Sequence, residues 1–291
     1  MKRIVVLSLL VATAGLSNAT TILANSTAPG DSYTNPGTSN QGQAVGLTSW
    51  FYNNVRNSGV VGINNTYARS GNGSAYLETT VGPGGNSSKA DIEFLAGGTS
   101  LFGNFVATSS LGTLGQLTSL SYDWYRDNVS TNSNAQHPAL RILIDADGNL
   151  LTTGDRGGLV FERAYNSLTV PTDTWVTDAV SGSTNLWSYG FGVSFAFGGY
   201  NRTLNDWITG FTDNNTASPL SADSKILGFS AGVGSGWGPF KGAVDNISWT
   251  IDGNSSSYNF EVAGEPAVPG PAAALPMALG FLVGLARRRR K

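Results

Sequence analysis

Asp91 and Glu93 stand two residues apart in Ala90-Asp91-Ile92-Glu93-Phe94, so a β-strand through this run carries both carboxyls on one face. Sandwich-fold glycosidases present an acid and a nucleophile in this way, roughly 5–5.5 Å apart in retaining enzymes. Their longer pattern adds a leading glutamate and a third acidic residue, whereas Lys89 and Leu95 flank the pair here. The reading adopted is a solvated strand face with no catalytic residue. A secreted carbohydrate-active enzyme of glycoside-hydrolase type is the alternative.

Gly228-Phe229-Ser230-Ala231-Gly232 matches the G-x-S-x-G nucleophile elbow. That elbow needs a helix after the serine and a histidine later in the chain. Val233-Gly234-Ser235-Gly236-Trp237-Gly238-Pro239 cannot hold a helix, and the single histidine, His137, lies upstream. His137 precedes Pro138 in a polar loop and reads as solvated; with no second histidine or any cysteine, no zinc site of the usual kind forms. Asp145-Ala146-Asp147-Gly148-Asn149 resembles the start of a calcium loop, but the twelfth position of an EF-hand is Arg156. Asp147-Gly148 between two apolar runs favours a tight hairpin turn. No metal residue is assigned, and a structural Ca2+ on this or another loop is the alternative. Trp50 in Trp50-Phe51-Tyr52 and Tyr125 in Tyr122-Asp123-Trp124-Tyr125 are the candidate glycan contacts, because aromatic faces stack on the C–H faces of sugars. A calcium-dependent adhesion module differs from such a glycan binder mainly in its need for metal.

The elements that must hold these residues alternate with period two. Leu120, Tyr122 and Trp124 share a face, as do Leu140, Ile142 and Ile144; Phe191, Val193, Phe195 and Phe197; and Ile247, Trp249 and Ile251. Strands of this kind bury one face and wet the other. Joined by Gly/Asn turns, they predict an all-β antiparallel sandwich of jelly-roll type. Strands are predicted over 89–96, 117–126, 139–153, 158–165, 174–180, 188–197, 225–231 and 242–251. A short helix is predicted over 204–211, and 20–48 reads as an edge strand or a lead-in.

Composition sets outer limits. The chain of 291 residues has 38 glycines, 12% charged residues and no cysteine, which excludes a disulfide framework. Seven of the 17 cations lie in Lys2-Arg3 and Arg287–Lys291, so the body between them holds ten cations against 19 carboxylates, a net −9. An acidic body argues against nucleic-acid partners, which need a basic face.

The two ends read as targeting signals. Lys2-Arg3, an apolar core over Ile4–Ala14 and Ser17-Asn18-Ala19 form a signal peptide over 1–19, with a signal helix and Sec-dependent export; cleavage is expected between Ala19 and Thr20. At the other end come Val268-Pro269-Gly270-Pro271, an uncharged stretch over 272–286, and Arg287-Arg288-Arg289-Arg290-Lys291. Fifteen helical residues span roughly 22 Å against a hydrocarbon core of about 30 Å, a marginal transmembrane helix with a basic stop on the cytoplasmic side. Together these features resemble the PEP-CTERM proteins, substrates of exosortase-type transpeptidases in Gram-negative bacteria that make extracellular polysaccharide. Gly270 stands where that family usually has glutamate, like its glutamate-free variants. The resemblance implies a sorting enzyme as partner, transient anchoring in the inner membrane, and release to the cell surface or matrix. The stretch Gly236–Ile247 with Tyr258-Asn259-Phe260-Glu261, and the turn Ser70-Gly71-Asn72-Gly73-Ser74, are similar to secreted bacterial lectin-like sandwiches. The expected organisation is a signal peptide over 1–19, a sandwich over 20–260, a linker over 261–267 and a sorting signal over 268–291. The expected function is a non-enzymatic envelope or matrix protein that associates with polysaccharide.

Overall fold

The computed structural model describes residues 19–81 and 87–264. The fold is all-β. One eight-stranded sheet runs Trp175–Val180, Leu117–Arg126, Phe240–Ile251 and then divides. One branch continues through Ser74–Thr79, Gly59–Asn64 and Tyr33–Asn35, and the other through Asn254–Ala263 and Thr20–Thr27. The second eight-stranded sheet runs Trp187–Gly190, Arg156–Phe161, Ala139–Asp145, Lys225–Gly234, Lys89–Leu95, Trp50–Arg56 and Gln41–Ala44, with Gly112–Thr113 beside Lys225–Gly234.

The division of the first sheet has a local cause. Phe240–Ile251 pairs with Ser74–Thr79 through Val244 and with Asn254–Ala263 from Ile247 onward. Between these registers Asn246 takes a left-handed φ of 49°, and the Asp245 carboxylate accepts the Phe260 N–H at 2.9 Å. The irregularity turns the strand from one neighbour to the next, as a bulge does.

The two sheets pack face to face through the residues that the period-two pattern puts inward. Trp249 of the first sheet meets Phe229, Phe94 and Trp50 of the second, with ring centroids 4.6, 5.0 and 6.4 Å away. Tyr122, Trp124, Ile142, Ile144 and Phe260 are also fully buried. Each such side chain contributes about 1.5–3 kcal/mol by leaving water, and no disulfide is present to share the load.

Most expected strands form. Leu117–Arg126 has the expected bounds, and the helix is Leu204–Thr209, capped by Thr203 and Asp206. Four details differ. The strand at Ala139 ends at Asp145, and a ten-residue loop over 146–155 replaces the tight Asp147-Gly148 hairpin, because Asp145 pairs directly with Arg156. Trp187–Gly190 stops where Phe191, Gly192 and Ala196 take positive φ, so the alternating phenylalanines lie in a loop. Trp50–Arg56 is a strand that the alternation did not announce. The last strand continues to Ala263, past the expected end of the sandwich at 260, and covers the start of the expected linker.

Thr20 opens the first strand, which lies parallel to the last with Thr20 opposite Tyr258. The signal helix before Ala19, the motif Val268–Pro271, the helix over 272–286 and the basic end lie outside the described residues. Among the described residues no helix is long and apolar enough to cross a membrane.

Candidate functional site

The outward face of the second sheet carries a cluster of buried, mutually bonded polar side chains. On Lys89–Leu95, Ala90 and Ile92 point into the core, and Asp91 and Glu93 point out. The two carboxylates do share a face, but that face is not solvated. Asp91 is 1% exposed and Glu93 3%.

Two features of neighbouring strands explain the burial. Lys225–Gly234 presents Gly228, Ser230, Gly232 and Gly234 outward, while Phe229, Ala231 and Val233 fill the core. A Cβ on Gly232 would lie 1.9 Å from Asp91 Oδ1, so the missing side chain makes room for the carboxylate. The match to the nucleophile elbow therefore lies within a strand, where its small residues form the bottom of a groove. On the other side, Trp50–Arg56 shifts register against Lys89–Leu95 between Asn53 and Arg56. Asn54 has a φ of 53° there, which aims its amide along the sheet.

Asn54 Nδ2 donates to Asp91 Oδ2 at 3.0 Å and to Glu93 Oε1 at 2.8 Å. One nitrogen bridging both holds these oxygens less than about 6 Å apart, short of the roughly 6.5–9.5 Å of inverting glycosidases. Asn53 Nδ2 donates to Glu93 Oε2 at 2.6 Å. The hairpin strand Asn104–Val106 fixes both asparagines: Asn104 Oδ1 accepts the Asn54 N–H and Phe105 bonds the Asn53 amide. Arg141, from Ala139–Asp145, donates to Asp91 Oδ1 at 2.9 Å, and Lys89 Nζ approaches Asp91 Oδ2 at 2.5 Å.

Burial opposes the charge of Asp91, but Arg141 and Lys89 outweigh it and hold the carboxyl below its usual range. Burial, followed by the charge of Asp91, pushes Glu93 upward. Burial and then Arg141 lower Lys89 to about 8. Two carboxyls thus sit in one groove with their affinities for protons driven apart.

Two adjoining cavities lie over this floor, of about 360 Å3 and 320 Å3, and both are lined by Asn54 and Tyr189. Arg141, Lys89 and Asp91 line the first, and Glu93, Phe105 and Arg156 the second. Trp187 and Phe195 form an aromatic wall of the first, with ring centroids 5.1 Å apart. Phe195 is 69% exposed, held out by the loop that replaced the expected strand. Tyr200 lies 6.1 Å from Trp187 and stacks on Tyr165 at 4.4 Å, extending the wall.

The aromatic candidates from the sequence lie elsewhere. Trp50 is 0% exposed, packed edge-on against Phe94 and Phe260, with no face free for a sugar. Tyr125 sits half-buried on the outward side of the first sheet, stacked on Tyr67 at 4.7 Å and 5.7 Å from Trp175. The two belong to different sheets and make no common site. Arg126, its neighbour, is buried and donates to the carbonyls of Gln136 and Asn132.

His137 is not solvated either. It is 0% exposed and lies 4.7 Å from the Trp124 ring. Its Nε2 accepts the Arg163 N–H at 2.9 Å, which leaves Nδ1 to donate to the Pro138 carbonyl at 3.0 Å. Burial lowers its pKa to about 3.

The sequence gives no signal for Asn53, Asn54, Trp187 or Tyr189 as site residues, since a register shift and long-range pairing bring them to the groove. Arg141 lies between Leu140 and Ile142, and nothing in that alternating run marks it as a site residue.

No family model matches the chain, and no curated protein matches it. Among solved structures, a "Cellulose induced protein, Cip1" is similar at 13% identity and a TM-score of 0.36, over 72% of this chain and 88% of that one.

Proposed function

We propose that the protein is an exported, non-enzymatic β-sandwich of the jelly-roll, lectin-like kind that binds polysaccharide in the groove on the outward face of its second sheet. The observation that carries this reading is the aromatic wall of exposed Phe195 and half-buried Trp187 beside a floor of fixed amides and charges. Sugars use such a pairing: C–H faces stack on rings while hydroxyls bond to rigid donors and acceptors. The N-terminal signal and the resemblance of Val268–Lys291 to a sorting domain support export, transient inner-membrane anchoring and processing by an exosortase-type enzyme. Polysaccharide at the cell surface or in the matrix is then the ligand within reach.

A second reading follows from the bridged carboxylates. Asp91 and Glu93 would act as a retaining glycosidase pair, with Glu93 as the acid. Binding without cleavage is preferred because both Asp91 oxygens are already occupied by Arg141, Lys89 and Asn54.

The test is a panel of neutral and acidic polysaccharides, with both retention and released reducing ends measured. Retention lost in the Phe195→Ala/Trp187→Ala variant, without new reducing ends, is the expected result. Reducing ends released by the wild type and abolished by Glu93→Gln would establish the enzyme instead.

A further inference from the structure

The ten-residue loop that replaced the expected hairpin brings together three carboxylates. Asp145 ends one strand, Asp147 lies in the loop, and Asp155 immediately precedes the next strand; one oxygen from each lies within 4.8 Å of the others. Two opposed Ca2+–oxygen bonds of about 2.3–2.6 Å bridge such a span.

Proximity of acids is common, but two further facts single out this cluster. Asp145 is 0% exposed, and its Oδ1 has no hydrogen-bond donor. Asp155 Oδ1 is likewise buried without a partner. A buried carboxylate oxygen ordinarily has a donor, because desolvation without one costs several kcal/mol. Two such oxygens beside a third carboxylate are what a cation would satisfy.

The charge balance points the same way. Arg156 faces the cluster with Nε 3.3 Å from Asp145 Oδ2, while its other nitrogens donate to the Ala107 and Leu150 carbonyls. Lys225, opposite Asp145 on the neighbouring strand, forms no ion pair with the three among the described residues. Three carboxylates with one paired guanidinium leave a local deficit of about two positive charges.

We infer that Asp145, Asp147 and Asp155 form a binding site for Ca2+. An all-oxygen donor set on a loop matches a hard cation of variable coordination, rather than zinc or copper. Mg2+ holds its waters and demands a near-ideal octahedron, so it binds here more weakly. Arg156 also lines the second cavity of the groove, so the ion would brace one end of the site. The inference stands whether or not the groove binds sugar.

The experiment is calorimetric titration of the EDTA-treated protein with CaCl2, alongside thermal melts in Ca2+, Mg2+ and EDTA. Asp147 is exposed, so Asp147→Asn tests the site without disturbing the core. The expected result is one Ca2+ per chain with a Kd of about 10−3 M or tighter, and a melting temperature that rises with Ca2+. Affinity should fall at least about tenfold in Asp147→Asn and be lost in Asp147→Asn/Asp155→Asn, and in EDTA both variants should melt no lower than the wild type, since each removes negative charge from the cluster. Absence of saturable binding, or an equal Ca2+ shift in the double variant, would overturn the site.

Discussion

Arg141 and Asp91 are buried against each other, and the cost of separating them is larger than the benefit of joining them. A buried pair contributes little net stability, whereas an orphaned partner costs about 3–5 kcal/mol. Arg141→Met should therefore lower the free energy of unfolding by about that much in urea denaturation, with Lys89 limiting the loss. A change below about 1 kcal/mol would show that Asp91 is solvated after all. His137 offers a cleaner measurement, because the chain has one histidine and its ring signal is unambiguous by NMR. Its folded pKa of about 3 lies below the ordinary 6.5, so the unfolded chain takes up the proton first. The stability it confers is complete above about 6.5 and is lost as pH falls from there toward 3, on the order of 5 kcal/mol in all. The ring should show no titration between pH 8 and pH 4; a midpoint near 6.5 would contradict its burial. The sequence could show that Asp91 and Glu93 face one way. It could not show that Gly232, far away in the chain, leaves room for Asp91 or that Asn54 bonds both carboxylates. His137 was misread for the same reason: its neighbour Pro138 describes the local backbone, while Trp124 and Phe161 bury the ring.

At the scale of elements, the groove depends on what its strands leave out. Gly228, Ser230, Gly232 and Gly234 keep one face of a central strand nearly bare while the other face is filled by Phe229 and Val233. Gly232→Ala places a methyl where Asp91 Oδ1 now lies, so it should displace the carboxylate from Arg141 and cost about 2 kcal/mol or more. A thermal melt shifted by several degrees is the expected readout, and an unshifted melt would mean that the groove floor yields. Period-two alternation located most strands, because each has one buried face. It failed at Phe191–Phe197, where the spacing of phenylalanines fits a strand but the left-handed turns at Phe191 and Ala196 do not. That failure bears on the proposed groove, since the loop is what exposes Phe195. Alternation was equally blind to Trp50–Arg56, whose outward residues Phe51 and Asn53 are covered by the Asn104–Val106 hairpin strand and so are buried too.

For the whole molecule, the proposed function sets a β-sandwich between two ends read as targeting signals. If export and sorting proceed as proposed, the mature protein begins at Thr20, the first residue of the edge strand, and has lost its basic end near Val268–Pro271. Mass spectrometry of the protein recovered from its host would show that shortened chain, whereas intact Met1 and Lys291 would contradict it. The most direct measurement concerns the groove itself: equilibrium binding of the protein to extracellular polysaccharide, comparing the wild type with Phe195→Ala and Tyr125→Ala. Phe195→Ala, at a 69% exposed position, should leave stability within about 0.5 kcal/mol and weaken binding about tenfold. Tyr125→Ala, on the opposite sheet, should leave binding unchanged. Binding that survives Phe195→Ala and falls with Tyr125→Ala would place the ligand on the wrong sheet for this account.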